Sequence, residues 1–480
     1  MKFCNFKNVS LFGFFLFGFS SFGQEHMWTL EECVSYALEH NIDVQKQAIE
    51  EERANIGKQI AFGNFLPSVN GSASHSWTLG LNQNITTGLL ENQTTQFTAA
   101  GVDVGIDLFK GLQYQHQLAK ARLSEIAARY QAQKMKEDIS LNVVNAYLQI
   151  VFNQELLKTN QAQSIEKKKQ EQRAKELVQA GIVPAGDLLD VQAAVSQVEQ
   201  QVISSENALE LSKLALAQLL QLRNYDKFEI SDSEIEVDLS AVLLESASEV
   251  VRRAKETQID LKIAQTRVGM ADRDLKISKA QFLPQLRAFY SFATRAAYMD
   301  RISGMTIDSA NPTKMIGQVE GTNQAVVQPN LVPIISGPES MLNQFDANKG
   351  QSFGLGLTIP IFNGFSVRNN VKLNRLEVKR AALEQEAAEL KLEQLVYTAY
   401  ADTKSALKSY EAAKVTLTAR SLALEYAKAR YEVGLMNVFD YNQAETLYVT
   451  AASDLLKAKY DYVFKTKILE YYFGIPLFEN

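Results

Sequence analysis

From Leu188 onward, Val191, Val195, Val198, Val202, Ser205, Leu209, Ser212, Leu216 and Leu219 recur at alternating steps of three and four. That spacing is a heptad seam, and it predicts a return helix over about 187–222 packed against a partner helix. The same seam marks Ile139, Val143, Ala146 and Ile150 upstream, where no proline falls between Pro67 and Pro184. An unbroken helix over about 110–180 follows. Ahead of it the period changes to two. Val69, Gly71, Ala73, His75, Trp77 and Leu79 alternate with Ser68, Asn70, Ser72, Ser74, Ser76 and Thr78. Val102, Val104, Ile106 and Leu108 alternate with Gly101, Asp103, Gly105 and Asp107. Strands are predicted over about 66–79 and 97–108.

The whole plan occurs twice. Asn41-Ile42-Asp43-Val44 recurs as Gln258-Ile259-Asp260-Leu261, and Phe65-Leu66-Pro67 as Phe282-Leu283-Pro284, both displaced by 217. Leu108-Phe109-Lys110-Gly111 recurs as Ile361-Phe362-Asn363-Gly364, and Gly181 with Asp187 as Gly434 with Asp440, now displaced by 253. The 36 additional residues between the two offsets all enter between Pro284 and Phe362, which marks an insertion in a loop. Pro312, Pro329, Pro333 and Pro338, four of the nine prolines, lie there.

Two repeats, 24–222 and 240–480, are therefore expected, joined by an acidic linker over 223–239. The second carries strands at about 284–294 and 352–361, a long external loop at about 295–351, a long helix at about 363–433 and a return helix at about 440–473. The linker, with Asp226, Glu229, Asp232, Glu234, Glu236 and Asp238, reads as a solvated connector.

Each long helical stretch measures 72 residues from Phe109 to Gly181 or from Phe362 to Gly434. At about 1.5 Å per residue that is roughly 108 Å, longer than an ordinary domain is wide. Strands with one apolar face fit either a half-buried soluble sheet or the lipid-facing wall of a barrel. Four strands cannot enclose a lumen, and open edges in hydrocarbon leave backbone groups unsatisfied, so a barrel needs other subunits. On that reading Val102, Val104, Ile106, Leu355, Leu357 and Ile359 face lipid.

Residues 1–23 have the form of a secretory signal, with Lys2 and Lys7, an apolar run from Val9 to Phe19, and small residues before Gln24. The remaining chain keeps 47 basic against 55 acidic residues, a balance that argues against nucleic acid. Cys33 then stands alone, no run of apolar residues is long enough for a membrane helix, and His26, His40, His75 and His116 lack ligand spacing. No cofactor or metal site is expected, and no nucleophile or nucleotide motif supports an enzyme. Lys167-Lys168-Lys169 and Glu50-Glu51-Glu52 read as solvated helix faces.

The stretch from Arg430-Tyr431-Glu432-Val433-Gly434 through Asp440 to Leu469-Glu470-Tyr471-Tyr472-Phe473-Gly474, set in this duplicated order, resembles the TolC-like outer-membrane efflux channel family over essentially the whole mature chain. The resemblance implies a mainly α fold with a small β part. Three copies would form one twelve-stranded barrel continued by an α-helical tunnel across the periplasm. It implies an outer-membrane exit duct that docks to a periplasmic adaptor and an inner-membrane transporter and conducts passively. A duct for type I protein secretion is the alternative, and a non-conducting envelope-spanning coiled coil a weaker one.

By the same resemblance Asp440 belongs to a cation-favouring ring at the periplasmic end, and Gln443 stands where the family has a second carboxylate. Asp187 and Tyr431 match partners in a latch between the repeats, whose basic position is taken here by Met436. Gly181, Gly434 and Leu435 would lie at the tip gripped by the adaptor. Read from the residues alone, Asp187 with Asp190 and Asp440 with Gln443 are capping-box N-caps of the return helices.

Overall fold

The structure, a computed structural model, describes residues 27–83, 88–223, 225, 228–231 and 240–475. The signal segment 1–23 lies outside the described residues, as do 224, 226–227 and 232–239 of the linker region.

The first repeat runs β1 (Met27–Trp28), α1 (Leu30–His40), α2 (Ile42–Gly63), β2 (Ser68–Gln83), β3 (Leu90–Lys110), α3 (Gln113–Gln179) and α4 (Ala185–Leu220), followed by β4 (Glu229–Ile230). In the second, α5 (Ala247–Thr257), α6 (Ile259–Ala280), β5 (Gln285–Ala297), β10 (Gly350–Thr358), α8 (Ser366–Glu432) and α9 (Val438–Phe473) follow the same order. Helix lengths match pair by pair: α1 and α5 have 11 residues, α2 and α6 22, α3 and α8 67, α4 and α9 36. Their ends keep the sequence offsets, so the same local chemistry starts and stops them. Thr29 caps α1 by accepting the Glu32 N–H, and Ser246 caps α5 by accepting that of Glu249.

The chain divides into two compact units. One comprises the described residues of 27–50, 129–263 and 386–475. Its two apolar cores are repeats of each other: Cys33, Val34, Ala37, Ile139, Val143 and Leu216 in one correspond to Val250, Val251, Ala254, Leu392, Val396 and Leu469 in the other. Burial of such side chains is worth about 1.5–3 kcal/mol each, so α1 and α5 are held by their inward faces. The seam positions Val191, Val195, Val198, Ser205, Leu209, Ser212 and Leu216 are buried, as the heptad spacing requires.

The acidic connector is not solvated throughout. Phe228 and Ile230 are buried in the first core, β4 pairs in parallel with β1, and the Ser231 N–H donates to the Trp28 carbonyl. Only Glu229 between them turns outward, where it meets Lys213 at 2.7 Å. Alternation within three residues anchors a segment that is otherwise rich in acid.

The other unit, 51–128 and 264–385, contains a four-stranded antiparallel sheet in the order β10-β5-β3-β2, two strands from each repeat. β2 and β3 are longer than the alternation suggests and pair continuously from Ser68↔Gly105 to Gln83↔Leu90. β10 stops at Thr358, leaving Ile359 just beyond it. A bulge at Leu108 breaks the alternation and turns Phe109 opposite Leu286.

The stretch 295–351, expected as a loop, holds regular structure. β6 (Arg301–Ile307) pairs with β9 (Leu331–Ser336), β7 (Thr313–Gln318) pairs with β8 (Ala325–Pro329), and α7 (Met341–Ala347) follows. α7 is tied to β5 where Thr294 Oγ1 donates to the Phe345 carbonyl and Gln344 bonds Ala297 in both directions. Short ribbons of this kind tolerate Pro329 and Pro333 at edges, so proline density was a poor guide to loop.

Candidate functional site

Two surfaces carry the candidate residues. On the sheet, register places apolar side chains in rows across the strands. Leu355 pairs with Ala288 and Ala288 with Ile106; Phe353 pairs with Tyr290, Tyr290 with Val104 and Val104 with Val69. Val102 continues the face opposite Phe292, and Leu357 continues it opposite Leu286. Leu355 and Leu357 are 67% and 62% exposed, and Ile359 is exposed as well. The other face is mostly polar, with Ser291, Asp103, Arg287 and Asp107 beside an exposed Phe289, and Tyr114 donates to Asp107 at 2.6 Å. Arg287 lies flat over Gly105, whose missing Cβ would sit 2.5 Å from the guanidinium.

A continuous apolar face without a covering layer is costly in water and natural in lipid. β2 and β10 each pair on one side only, so the sheet ends in open edges. Among the described residues no helix is long and apolar enough to cross a membrane.

The second surface is formed by the turns after α3 and α8. Gly181 (φ 69°) and Gly434 (φ 75°) take the left-handed conformation that ends each helix. In the first turn Ile182 N–H donates to the Leu177 carbonyl and Gly181 N–H to that of Val178; in the second, Leu435 donates to Arg430 and Gly434 to Tyr431. Both are Schellman closures, and Leu435 projects 70% exposed from the second.

The return helices begin differently from the capping boxes expected. Pro184 and Asn437 occupy the N-cap positions, and Asp187 and Asp440 lie in the first turns. Asn437 Oδ1 accepts the Asp440 N–H at 2.8 Å, and Asn437 Nδ2 donates to the Asp440 carboxylate at 3.0 Å. An earlier cap with a carboxylate three residues later satisfies the same pattern, so the sequence admits both registers. Asp440 and Gln443 are exposed, where an anion also complements the helix N-terminus.

Tyr431 stacks on Tyr441 with centroids 4.8 Å apart, and the Arg173 guanidinium lies 5.8 Å from its ring. Among the described residues no hydrogen bond joins Asp187 to Tyr431. Burial, followed by the Glu445 charge, pushes the Tyr441 hydroxyl up to about 12, so it remains a neutral donor.

Lys167 overturns its reading as part of a solvated face. Its side chain is only 3% exposed and its ammonium lies 2.7 Å from Glu445, itself 6% exposed. Lys168 and Lys169 do stay outside, paired with Glu199 and Glu166. The signal was present: Lys167 is four heptads beyond Ile139, on the seam through Ala146, Asn153 and Asn160. Three consecutive residues span about 200° of a helix, so one member of such a run can fall on the inward face.

These features define a duplicated helical protein that places a lipid-compatible sheet and coiled-coil hairpins in one chain. A family model described as outer membrane efflux protein matches residues 33–221 and 250–470. The chain belongs to that family and is an outer-membrane efflux channel. It is 22% identical over 460 residues to outer membrane protein TolC of Escherichia coli (strain K12), covering 94% of this chain and 83% of TolC. The fold is similar to the Campylobacter jejuni CmeC outer membrane channel, with TM-score 0.74, 19% identity, and coverage of 93% of this chain and 85% of CmeC. It is also similar to outer membrane protein VceC of Vibrio cholerae, with TM-score 0.73, 15% identity, and coverage of 93% and 96%.

Proposed function

We propose that three copies join edge to edge, β10 of one along β2 of the next, to form a twelve-stranded barrel. Its Leu355 face lies in lipid and its polar face lines a passage continued by the helices. The observation that carries this reading is the pair of open edges flanking a continuous apolar face. Mutual pairing satisfies exposed backbone donors and acceptors along the length of β10, which hydrocarbon demands.

In that assembly the turns at Gly181 and Gly434–Leu435 meet the helical hairpins of a periplasmic adaptor, which connects the duct to an inner-membrane transporter. The duct hydrolyses nothing; small molecules pass down their gradients of supply. Asp440 of each copy faces the axis, and three carboxylates at one level favour cations. Tyr431, set against Tyr441 of its own repeat and Arg173 of the other, links the two repeats at that end.

Purified protein reconstituted in planar lipid bilayers is expected to conduct ions in discrete steps. A correctly assembled oligomer that conducts nothing under any applied voltage refutes the duct and favours a structural spacer.

A further inference from the structure

The ion pair between Lys167 and Glu445 joins α3 of the first repeat to α9 of the second. Its ammonium has three acceptors: Glu445 Oε2 at 2.7 Å, Asn442 Oδ1 at 2.6 Å and Gln170 Oε1 at 3.2 Å. Gln170 Nε2 also donates to the same Glu445 oxygen at 3.0 Å. Both charges are therefore neutralised, and every ammonium proton has a partner. The preceding seam positions behave otherwise. Asn153 donates to the Ala208 carbonyl and Asn160 to Ser205, both on α4. At Lys167 the polar series on α3 changes partner from its own repeat to the other one.

Removing one member of such a buried pair leaves an uncompensated charge, so separation is far costlier than it is for a surface pair. The last buried side chains before the turns are Ala174, Ala427, Val191 and Tyr441. Lys167 stands about 18 Å before the end of α3 and Glu445 about 10 Å after the start of α9, at about 1.5 Å per residue. Between the pair and the turns lie the Tyr431–Tyr441 stack and Arg173, and beyond them the exposed residues Leu435, Asn437 and Asp440. Segments with few buried contacts are the ones that open locally at low cost.

We propose that Lys167 and Glu445 are positioning residues that pin α9 to α3 throughout the working cycle, so that motion at this end of the protein is confined to the turns beyond them. The proposal rests on the channel reading for its purpose. Its test does not. Neither residue touches cargo in this role. They set how much of each helix can move.

The test places spin labels in pairs on the intact chain, one at the exposed Ser196 of α4 and the other at either Leu435 or Thr450. Intrachain distances are measured in spin-diluted assemblies. In the wild type the Ser196–Leu435 distribution is expected to be broad and the Ser196–Thr450 distribution narrow. Lys167→Met is expected to broaden the second at least about twofold, because one uncompensated carboxylate suffices to separate the helices.

The exchanged pair, Lys167→Glu with Glu445→Lys, is expected to narrow it again. Asn442→Ala, which deletes one neutral acceptor, gives a smaller broadening and serves if Lys167→Met does not fold. Equal widths at the two positions in the wild type overturn the pin, as does a Thr450 distribution unmoved in Lys167→Met or, where that variant does not fold, in Asn442→Ala. Bilayer conductance of the wild type judges the channel reading separately: conducting assemblies with an unmoved Thr450 distribution refute the pin alone, and a silent wild type refutes the channel alone.

Discussion

The Tyr471 hydroxyl donates to Glu137 Oε2 at 3.0 Å, tying the last turn of α9 to α3. Burial raises the Glu137 carboxyl above its ordinary value of 4.5, against the lowering effects of the Tyr471 and Gln133 hydrogen bonds and the Lys134 charge. Asp138, raised by burial, and Asp260 stand nearby, with Lys134 2.5 Å from Asp260. A carboxyl raised in the folded state binds its proton more readily there than in the unfolded chain. Its stabilising contribution is complete below 4.5 and is lost as pH rises through the raised value. Glu137→Gln keeps an acceptor for Tyr471 without a charge. It is expected to raise the melting temperature at pH 7.5 and to have little effect near pH 4; a variant that melts lower at pH 7.5 contradicts this sign.

How much of this was legible follows from which patterns repeat. Long helices announce themselves because seam residues such as Val191 and Leu209 recur over many turns, and the offset of 253 lets each repeat check the other. Strand extent was harder: between Gly80 and Gln96 polar residues fall on both faces, so pairing from Gln83↔Leu90 inward leaves no alternation to read. The pin was hidden by its chemistry. Lys167 looks like its solvated neighbours, and its partner lies 278 residues away on another repeat. Only the heptad phase inherited from Ile139 distinguishes it. The N-cap of α9 was misplaced by one turn because Asn437–Asp440 and Asp440–Gln443 fit the same spacing rule, while α4 starts at Pro184 with no side-chain cap at all.

Leu355→Arg tests which face of the sheet meets lipid. A guanidinium at the middle of a lipid-facing strand costs about 2–4 kcal/mol in each copy. Membrane-inserted oligomer, measured on gels of outer-membrane fractions, is expected to fall severalfold. Ser352→Arg, three residues earlier and on the opposite face, is expected to be tolerated. Loss with Ser352→Arg and wild-type amounts with Leu355→Arg would reverse the facing.

Asp440→Asn separates charge from capping. The Asn437 side-chain Oδ1 accepts the backbone N–H at position 440 whichever side chain is present there, so α9 keeps its start and stability changes by no more than about 1 kcal/mol. Three negative charges leave the axis of the proposed assembly. Reversal potentials across a KCl gradient are expected to shift toward zero, and an unchanged cation preference assigns selectivity to other residues.

Gly111 and Gly434 share a left-handed backbone, at φ 61° and 75°, but differ in surroundings. A Cβ at Gly434 meets nothing within 4 Å, so Gly434→Ala carries only the conformational cost, about 1–2 kcal/mol. At Gly111 the added carbon would overlap the Ala280 carbonyl oxygen and lie 2.9 Å from Leu283 Cβ, where the end of α6 packs on the start of α3. Backbone must shift, adding about 1–3 kcal/mol. Gly111→Ala is therefore expected to lower the melting temperature of the purified protein clearly more than Gly434→Ala. Equal shifts would mean that the approach of α6 to this turn relaxes freely, and that the left-handed backbone alone accounts for glycine at both positions.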